Sequence, residues 1–69
     1  MRFGANKRFM ELIKARGWTF QQLADRVALQ GGNLSAKTLF QYADGRRTPN
    51  VKEQTWIADA FGVLRKDIF

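Results

Sequence analysis

The 69-residue chain contains no cysteine and no histidine, and it has a single proline. Without cysteine there is no disulfide and no thiol nucleophile, and without both residue types the usual zinc ligands are missing. No apolar run approaches the roughly 18 residues that a membrane-spanning helix needs, and no signal-peptide pattern opens the chain. We therefore expect a soluble, intracellular protein that uses no metal and no other cofactor.

Acidic residues are also scarce, since six Asp and Glu stand against twelve Lys and Arg. The carboxylates are scattered and have no histidine or cysteine to act with, so no nucleophile–base arrangement is visible. Gly31-Gly32 is only a pair and does not form a phosphate-cradling loop. We expect no catalytic residue, no enzymatic activity and no small-molecule substrate.

The excess of basic residues gives a formal net charge of +6 and an isoelectric point near 10.6. In so short a chain, this excess favours a polyanionic partner. A surface charge that only improves solubility is the alternative. The basic residues do not gather on one long amphipathic helix, so we do not expect a membrane partner.

Hydrophobic spacing predicts one small domain with an all-α fold, a compact bundle of about five short helices. The predicted helices cover residues 6–16, 20–29, 35–44, 51–61 and, as a last turn, 65–69. Residues 1–5 are expected to form a flexible arm. The expected helix caps are Thr19 and Ser35 at the N-termini and Gly17, Gly45 and Gly62 at the C-termini.

The apolar residues of each predicted helix repeat on one side and mark a buried face. The residues expected to be buried are Phe9, Leu12, Ile13, Leu23, Ala24, Val27, Leu39, Tyr42, Ile57, Ala60 and Phe61, with Val51 entering from below. Between the second and third helices, residues 30–33 are predicted to form a flexible turn, after which Leu34 enters the core.

The stretch from Ser35 to Pro49 is the candidate functional element, because it reads as a short helix followed by a basic elbow. A helix this short is not stable alone in water, so the rest of the chain is expected to pack behind it. Its outer face is predicted to carry Lys37, Thr38 and Gln41. Arg46 and Arg47 then place two permanent charges on the elbow.

These residues belong to a longer ordered set that resembles a known family. The set is Thr19, Leu23-Ala24, Ser35, Thr38-Leu39, Gly45-Arg46-Arg47-Thr48-Pro49, Ile57-Ala58 and Ala60-Phe61-Gly62-Val63. In this order it resembles the helix-turn-helix domain of the Cro and phage-repressor family of DNA-binding regulators, of the xenobiotic response element type. The resemblance covers the chain from about Phe9 to Phe69.

The resemblance implies a lambda-repressor-like bundle in which residues 19–29 and 35–44 form the helix-turn-helix pair. The second helix of such a pair enters the major groove of double-stranded DNA while the first crosses the backbone. Carried over by position, the base contacts fall on Ala36, Lys37, Thr38 and Gln41. The phosphate contacts fall on Gln21, Gln22, Arg46, Arg47, Asn50 and Lys52.

A repressor-like transcriptional regulator of phage, plasmid or bacterial chromosomal origin is what the family resemblance implies. Such a protein is expected in the cytoplasm of a bacterium or of a phage-infected cell, associated with the nucleoid. One protomer this small is expected to discriminate sequences poorly. We therefore expect a weak or DNA-assisted homodimer on half-sites about 34 Å apart along the duplex.

The chain departs from the family pattern in two respects. Residues 28–34 make a longer connection than the usual turn of the pair, which implies either an extended second helix or a loop. Bulky side chains, Phe20, Phe40 and Trp56, stand at positions that are usually polar, while Gln54 stands where an aliphatic residue is usual. A one-residue shift of the fourth helix would place Trp56 in the core.

Two other hypotheses stay open. The first is a helical protein-interaction module whose partner surface includes Phe40, Trp56 and Phe69, because exposed aromatic residues mark either a core or a partner surface. For Phe40, a second protomer or the turn at residues 30–33 are the expected contacts. The second hypothesis is the DNA-binding domain of a larger recombination, transposition or replication protein. For the predicted DNA contacts, an ordinary solvated surface remains the alternative, and Thr38 can also hydrogen-bond the backbone of its own helix.

Overall fold

The computed structural model describes residues 6–69 as four α-helices followed by one 3₁₀ turn. The elements are α1 (Lys7–Arg16), α2 (Phe20–Leu29), α3 (Ala36–Asp44), α4 (Val51–Phe61) and the 3₁₀ turn (Arg65–Asp67). The all-helical prediction is confirmed, whereas the fifth helix amounts to a single 3₁₀ turn. None of the helices in this part of the chain is long and apolar enough to cross a bilayer. The arm predicted at residues 1–5 lies outside the described residues.

Each α-helix is closed at both ends by neighbouring residues. The side-chain oxygens of four N-cap residues accept hydrogen bonds from the backbone N–H groups of the first turns. These residues are Asn6, Thr19, Ser35 and Asn50. Each C-terminus ends in a left-handed glycine whose N–H donates three residues back, while the following N–H donates five residues back. These two hydrogen bonds satisfy backbone carbonyl groups that would otherwise have no partner at a helix C-terminus, so each short helix ends at a defined residue.

The four helices share one hydrophobic core. Its buried residues are Phe9, Leu12, Ile13, Leu23, Ala24, Val27, Leu39, Tyr42, Ala43, Ile57, Ala58, Phe61 and Ile68. Phe9 lies at the centre, and its ring is 5.6 Å from Phe61 and 6.3 Å from both Phe20 and Phe69, measured between ring centroids. Aromatic contacts of this kind therefore join α1 to α2, to α4 and to the last residue of the chain.

The fourth helix differs from the prediction in which residues it buries. Val51 is 61% exposed, and the prediction that it enters the core is wrong. Ala58 is buried instead, while Ala60 is half-buried. Helical spacing alone does place Val51 on the inner side, but Val51 is the first residue of α4 and the core does not extend to that end of the helix. Trp56 is half-buried and packs against the core from outside.

The connection between α2 and α3 is a loop, and α2 is not extended. Its first residues turn back on the helix end, where the N–H of Gly31 donates to Ala28 and the N–H of Gly32 donates to Val27, both at 3.0 Å. A Cβ atom on Gly32 would lie 2.6 Å from Val27 and 2.7 Å from the ring of Trp56. The indole of Trp56 therefore lies directly on the Gly32 backbone, and Leu34 then packs against the core as predicted.

The close contact at Gly32 predicts two different kinds of damage from two neighbouring alanine substitutions. We expect Gly32→Ala to cost about 1–3 kcal/mol of the free energy of unfolding, because the added methyl overpacks the contacts with Val27 and Trp56. Gly31→Ala has open space around it but a φ of +85°, so its cost of about 1–2 kcal/mol is backbone strain.

Denaturant unfolding of both variants with and without Trp56→Leu separates the two causes. The loss from Gly32→Ala should shrink in the Trp56→Leu background, because residues in contact are not additive. The loss from Gly31→Ala should stay the same. Full additivity for Gly32→Ala would contradict the contact between Gly32 and the indole.

Candidate nucleic-acid interface

The third helix has an inner and an outer side. It is nine residues long, and its buried residues are Leu39, Tyr42 and Ala43. Of the four predicted base-contact residues, Lys37 is exposed, and the other three are half-buried, namely Ala36, Thr38 and Gln41. Lys37 and Gln41 are four residues apart and so lie on the same side of the helix.

Thr38 is engaged in the cap of its own helix. Its backbone N–H donates to Ser35 Oγ at 3.2 Å, and the Ser35 hydroxyl donates to Thr38 Oγ1 at 3.0 Å. The Thr38 hydroxyl therefore bonds the side chain of Ser35, and not the helix backbone expected as its alternative partner. The threonine hydroxyl keeps its own proton and can still donate it outward.

The segment after α3 folds back onto the last turn of that helix. The carbonyl oxygen of Gln41 accepts hydrogen bonds from the backbone N–H groups of Arg46 at 3.0 Å and Arg47 at 3.4 Å. Both arginines are thus held next to Gln41 by their backbones. The predicted elbow and the predicted base-contact helix form one structural unit.

The two arginines of this elbow have different surroundings. Arg46 Nε lies 2.7 Å from a carboxylate oxygen of Asp44, so a negative charge already faces it. The guanidinium of Arg47 lies 5.8 Å from the ring centroid of Tyr42, a cation–π arrangement. Within residues 6–69, the two ion pairs are this one and Arg8 with Glu11, and Arg47 belongs to neither. Arg47 is the arginine whose charge is available to a phosphate.

The pKa of Tyr42, whose ring lies under the Arg47 guanidinium, differs from the ordinary value of a tyrosine. Burial raises the pKa of Tyr42 above its ordinary value of 10.0, and the nearby Glu53 carboxylate raises it further. Arg47 acts on this pKa in the opposite direction, because a positive charge favours the phenolate. Tyr42 therefore keeps its hydroxyl proton at physiological pH, and its pKa responds to the charges of Glu53 and Arg47.

Three of the predicted phosphate contacts use their amide groups at helix N-termini. Gln22 Oε1 accepts from the backbone N–H of Thr19 at 2.8 Å, and Asn50 Oδ1 accepts from Glu53 at 2.8 Å. Gln21 Nε2 donates to Asp25 at 3.1 Å. The spacings Thr-x-x-Gln and Asn-x-x-Glu are capping-box signatures, so sequence reasoning could have assigned Gln22 and Asn50 to caps. Their NH₂ groups remain free of these capping bonds.

Lys52, the last predicted phosphate contact, lies in the first turn of α4. Its ammonium nitrogen is 5.4 Å from the ring centroid of Trp56, the side chain that rests on Gly32. Lys52 is exposed and therefore directs a positive charge towards the connection that precedes α3. The two cations thus lie over different aromatic rings, Lys52 over Trp56 of α4 and Arg47 over Tyr42 of α3.

The three aromatic residues predicted as a partner surface each rest on a different neighbour. The ring of Phe40 meets that of Phe20 edge-on, with 5.6 Å between the ring centroids. Phe69 packs on Phe9, and the half-buried Trp56 covers the α2–α3 connection. The contact of Phe40 with the first residue of α2 brings the start of α2 beside the middle of α3.

The assembled surface can donate hydrogen bonds and hold anions. Lys37 and Arg47 are exposed cations. Lys37 lies one turn before Gln41, whose side-chain amide can both donate and accept, and the Arg47 backbone is bonded to the Gln41 carbonyl. Comparison of the chain with models of protein families, with curated proteins and with solved structures finds no match. A function for this chain has to be inferred from the side chains themselves.

The single tyrosine of the chain makes its ionisation directly measurable. We expect the tyrosinate absorbance of the folded protein to rise at a higher pH than that of the protein in denaturant. Because the raised pKa favours the neutral phenol, its contribution to stability is complete below the unfolded pKa of about 10 and is lost as the pH rises through the folded value.

Glu53→Gln is the matched variant, since glutamine keeps the capping oxygen and removes the charge. It should move the midpoint back towards the denatured value, and Arg47→Ala should move it further up. Equal midpoints for the folded and denatured protein would refute the described burial of the phenol.

Proposed function

We propose that this protein is a sequence-specific binder of double-stranded DNA and acts as a repressor-like transcriptional regulator at the bacterial nucleoid. In this proposal α2 and α3 are the helix-turn-helix pair, α3 enters the major groove and the elbow at Arg46-Arg47 contacts phosphates. One observation is the main support for this proposal. The Gln41 carbonyl accepts hydrogen bonds from the backbone N–H groups of both arginines, so Arg47, which belongs to neither ion pair of residues 6–69, is held next to a short helix that exposes Lys37.

The charge distribution supports a polyanionic partner. The net charge is +6, and four of the six carboxylates already have partners within the chain. These four are Glu11, Asp25, Asp44 and Glu53. Only Glu11 and Asp44 pair with a cation, whereas Asp25 and Glu53 bond neutral N–H groups, so the two ion pairs leave the excess of basic side chains unchanged, and most of these face solvent. Such an excess attracts DNA over a distance and speeds encounter.

The outer side of α3 carries side chains that suit base edges. The amide of Gln41 can pair with adenine N6 and N7, and the Lys37 ammonium can donate to guanine O6 and N7. Each good pairing discriminates against a wrong base by about 1–3 kcal/mol. Thr38 keeps one hydroxyl proton for a base or a phosphate.

A single protomer covers little DNA, which favours two protomers per site. A nine-residue helix is about 14 Å long, which matches about four base-pair steps. Two copies on half-sites about 34 Å apart would double the number of bases read. We propose a weak dimer that forms or tightens on DNA.

The first experiment is selection of bound duplexes from a random pool, followed by affinity measurements at several salt concentrations. We expect an enriched sequence with related half-sites. If each protomer neutralises four to six phosphates, log affinity should fall against log salt with a slope of about −4 to −5. No enriched sequence, together with salt-insensitive binding, would refute the proposal.

Three single substitutions separate base contacts from phosphate contacts. Gln41→Ala should relax the base preference at one position, at a cost of about 1–3 kcal/mol on the best site. Arg47→Ala should weaken binding to all sequences alike and reduce the salt slope by about one. Arg46→Ala is the matched control and should do less than Arg47→Ala, because Asp44 already opposes that charge. Equal effects of Gln41→Ala on every sequence would contradict its proposed role.

A helical protein-interaction module is the second candidate function. The observation in its favour is a set of large apolar side chains left on the surface, namely Leu29, Phe40, Val51, Leu64 and Phe69. Leu29 also borders a groove of about 300 Å³ beside Trp18. If DNA caused no amide shifts in the labelled protein around Lys37, Gln41 and Arg47 even at low salt, we would prefer this candidate and search for a protein partner at Phe40 and Trp56. The same DNA chemistry would also serve a domain of a larger recombination or replication protein.

A further inference from the structure

Phe40 is an exposed aromatic residue in the middle of the helix proposed to enter the major groove. Its side chain is 45% exposed although burying it would be favourable. Its ring lies on the flank of α3 that meets Phe20, with the half-buried Ala36 one turn before it. The polar pair Lys37 and Gln41 lies further round the helix, opposite the buried side, so an exposed apolar edge borders the polar outer side of α3.

The ring of Phe40 is held in place from behind. Its centroid is 5.6 Å from that of Phe20, and the two planes meet at 86°. Phe20 in turn packs 6.3 Å from Phe9, which is fully buried. A line of aromatic contacts thus runs from the core to the surface and orients Phe40. A ring supported in this way is suited to make a directional contact at low entropic cost.

The surroundings of Phe40 define what can cover it. Lys37, three residues before Phe40 on the same helix, is exposed and positive, and the chain carries a net charge of +6, so a second copy would bring further positive charge to this surface. A partner that covers Phe40 therefore has to be negatively charged overall, and it also has to present an apolar group to the ring. The major groove of DNA does so, because the C5 methyl of thymine projects into it between the phosphate backbones.

Resting on the proposed DNA-binding function, we infer that Phe40 is a specificity-determining residue that contacts a thymine methyl group in the major groove. The contact lies beside the base contacted by Gln41, whose amide suits adenine. Both side chains then select A·T pairs, so each half-site contains a short A·T-rich segment. Phe20 acts as a positioning residue for this contact.

The test removes the methyl group from the DNA and leaves the protein intact. Each thymine of the selected duplex is replaced in turn by deoxyuridine, which differs only in lacking the C5 methyl. We expect about fourfold weaker binding at one thymine of each half-site, and unchanged binding at the others. Phe40→Ala should bind the thymine and deoxyuridine duplexes equally, while Leu29→Ala, which truncates a more exposed apolar residue elsewhere, should keep the difference.

Each of the other possible results contradicts the inference and identifies which part of it is wrong. A selected sequence with no sensitivity to deoxyuridine would refute the role of Phe40 and leave DNA recognition standing. Sensitivity that persists in Phe40→Ala would assign the methyl contact to another residue, with Ala36 as the first to test. No selected sequence would refute the proposed function as well. A DNA-free dimer that Phe40→Ala dissociates would make Phe40 part of a protein interface. Circular dichroism of each variant verifies that it is folded.

Discussion

Burial of the inner side of α3 is the interaction on which the other features of the structure depend. A nine-residue helix does not persist alone in water, so α3 exists because Leu39, Tyr42 and Ala43 pack into the core. The same burial presents Lys37 and Gln41 on the opposite side. The Gln41 carbonyl then holds the elbow, and Tyr42 supports Arg47. Stability and the proposed DNA contacts are therefore linked through one short helix, and damage to its packing would reach both.

Local signals in the sequence were sufficient for most of the fold. The bounds of α2 could be predicted because Thr19 caps its start and the apolar stripe of Leu23, Ala24 and Val27 has helical spacing, and the same kind of bracketing by Ser35 and Gly45 gave α3. The burial predicted for Val51 is wrong because helical periodicity shows which side of a helix is apolar, but not where along the helix the core ends. The contact of Trp56 with Gly32 joins residues distant in sequence, and no local pattern indicates it.

The candidate site was predictable in its residue types and less so in their pairing. Arg46 and Arg47 are adjacent and identical in the sequence, yet one meets Asp44 and the other lies on Tyr42. Which partner a long side chain finds depends on the three-dimensional path of the elbow. The amides of Gln22 and Asn50 illustrate a different limit, since residues that suit phosphates also suit helix caps, and both spacings here match a capping box. The roles in DNA binding themselves remain predictions.

Asn6 gives the structure one further property. Its side-chain amide donates to the carbonyl of Ile68 at 3.0 Å, and its backbone N–H donates to the carbonyl of Ala43 at 2.9 Å. The start of α1 is therefore hydrogen-bonded both to the residue after the 3₁₀ turn and to the last turn of α3. One residue at the start of α1 thus joins parts of the chain 62 positions apart in the sequence, and both of its bonds converge on the C-terminal end of α3 and the turn beside it.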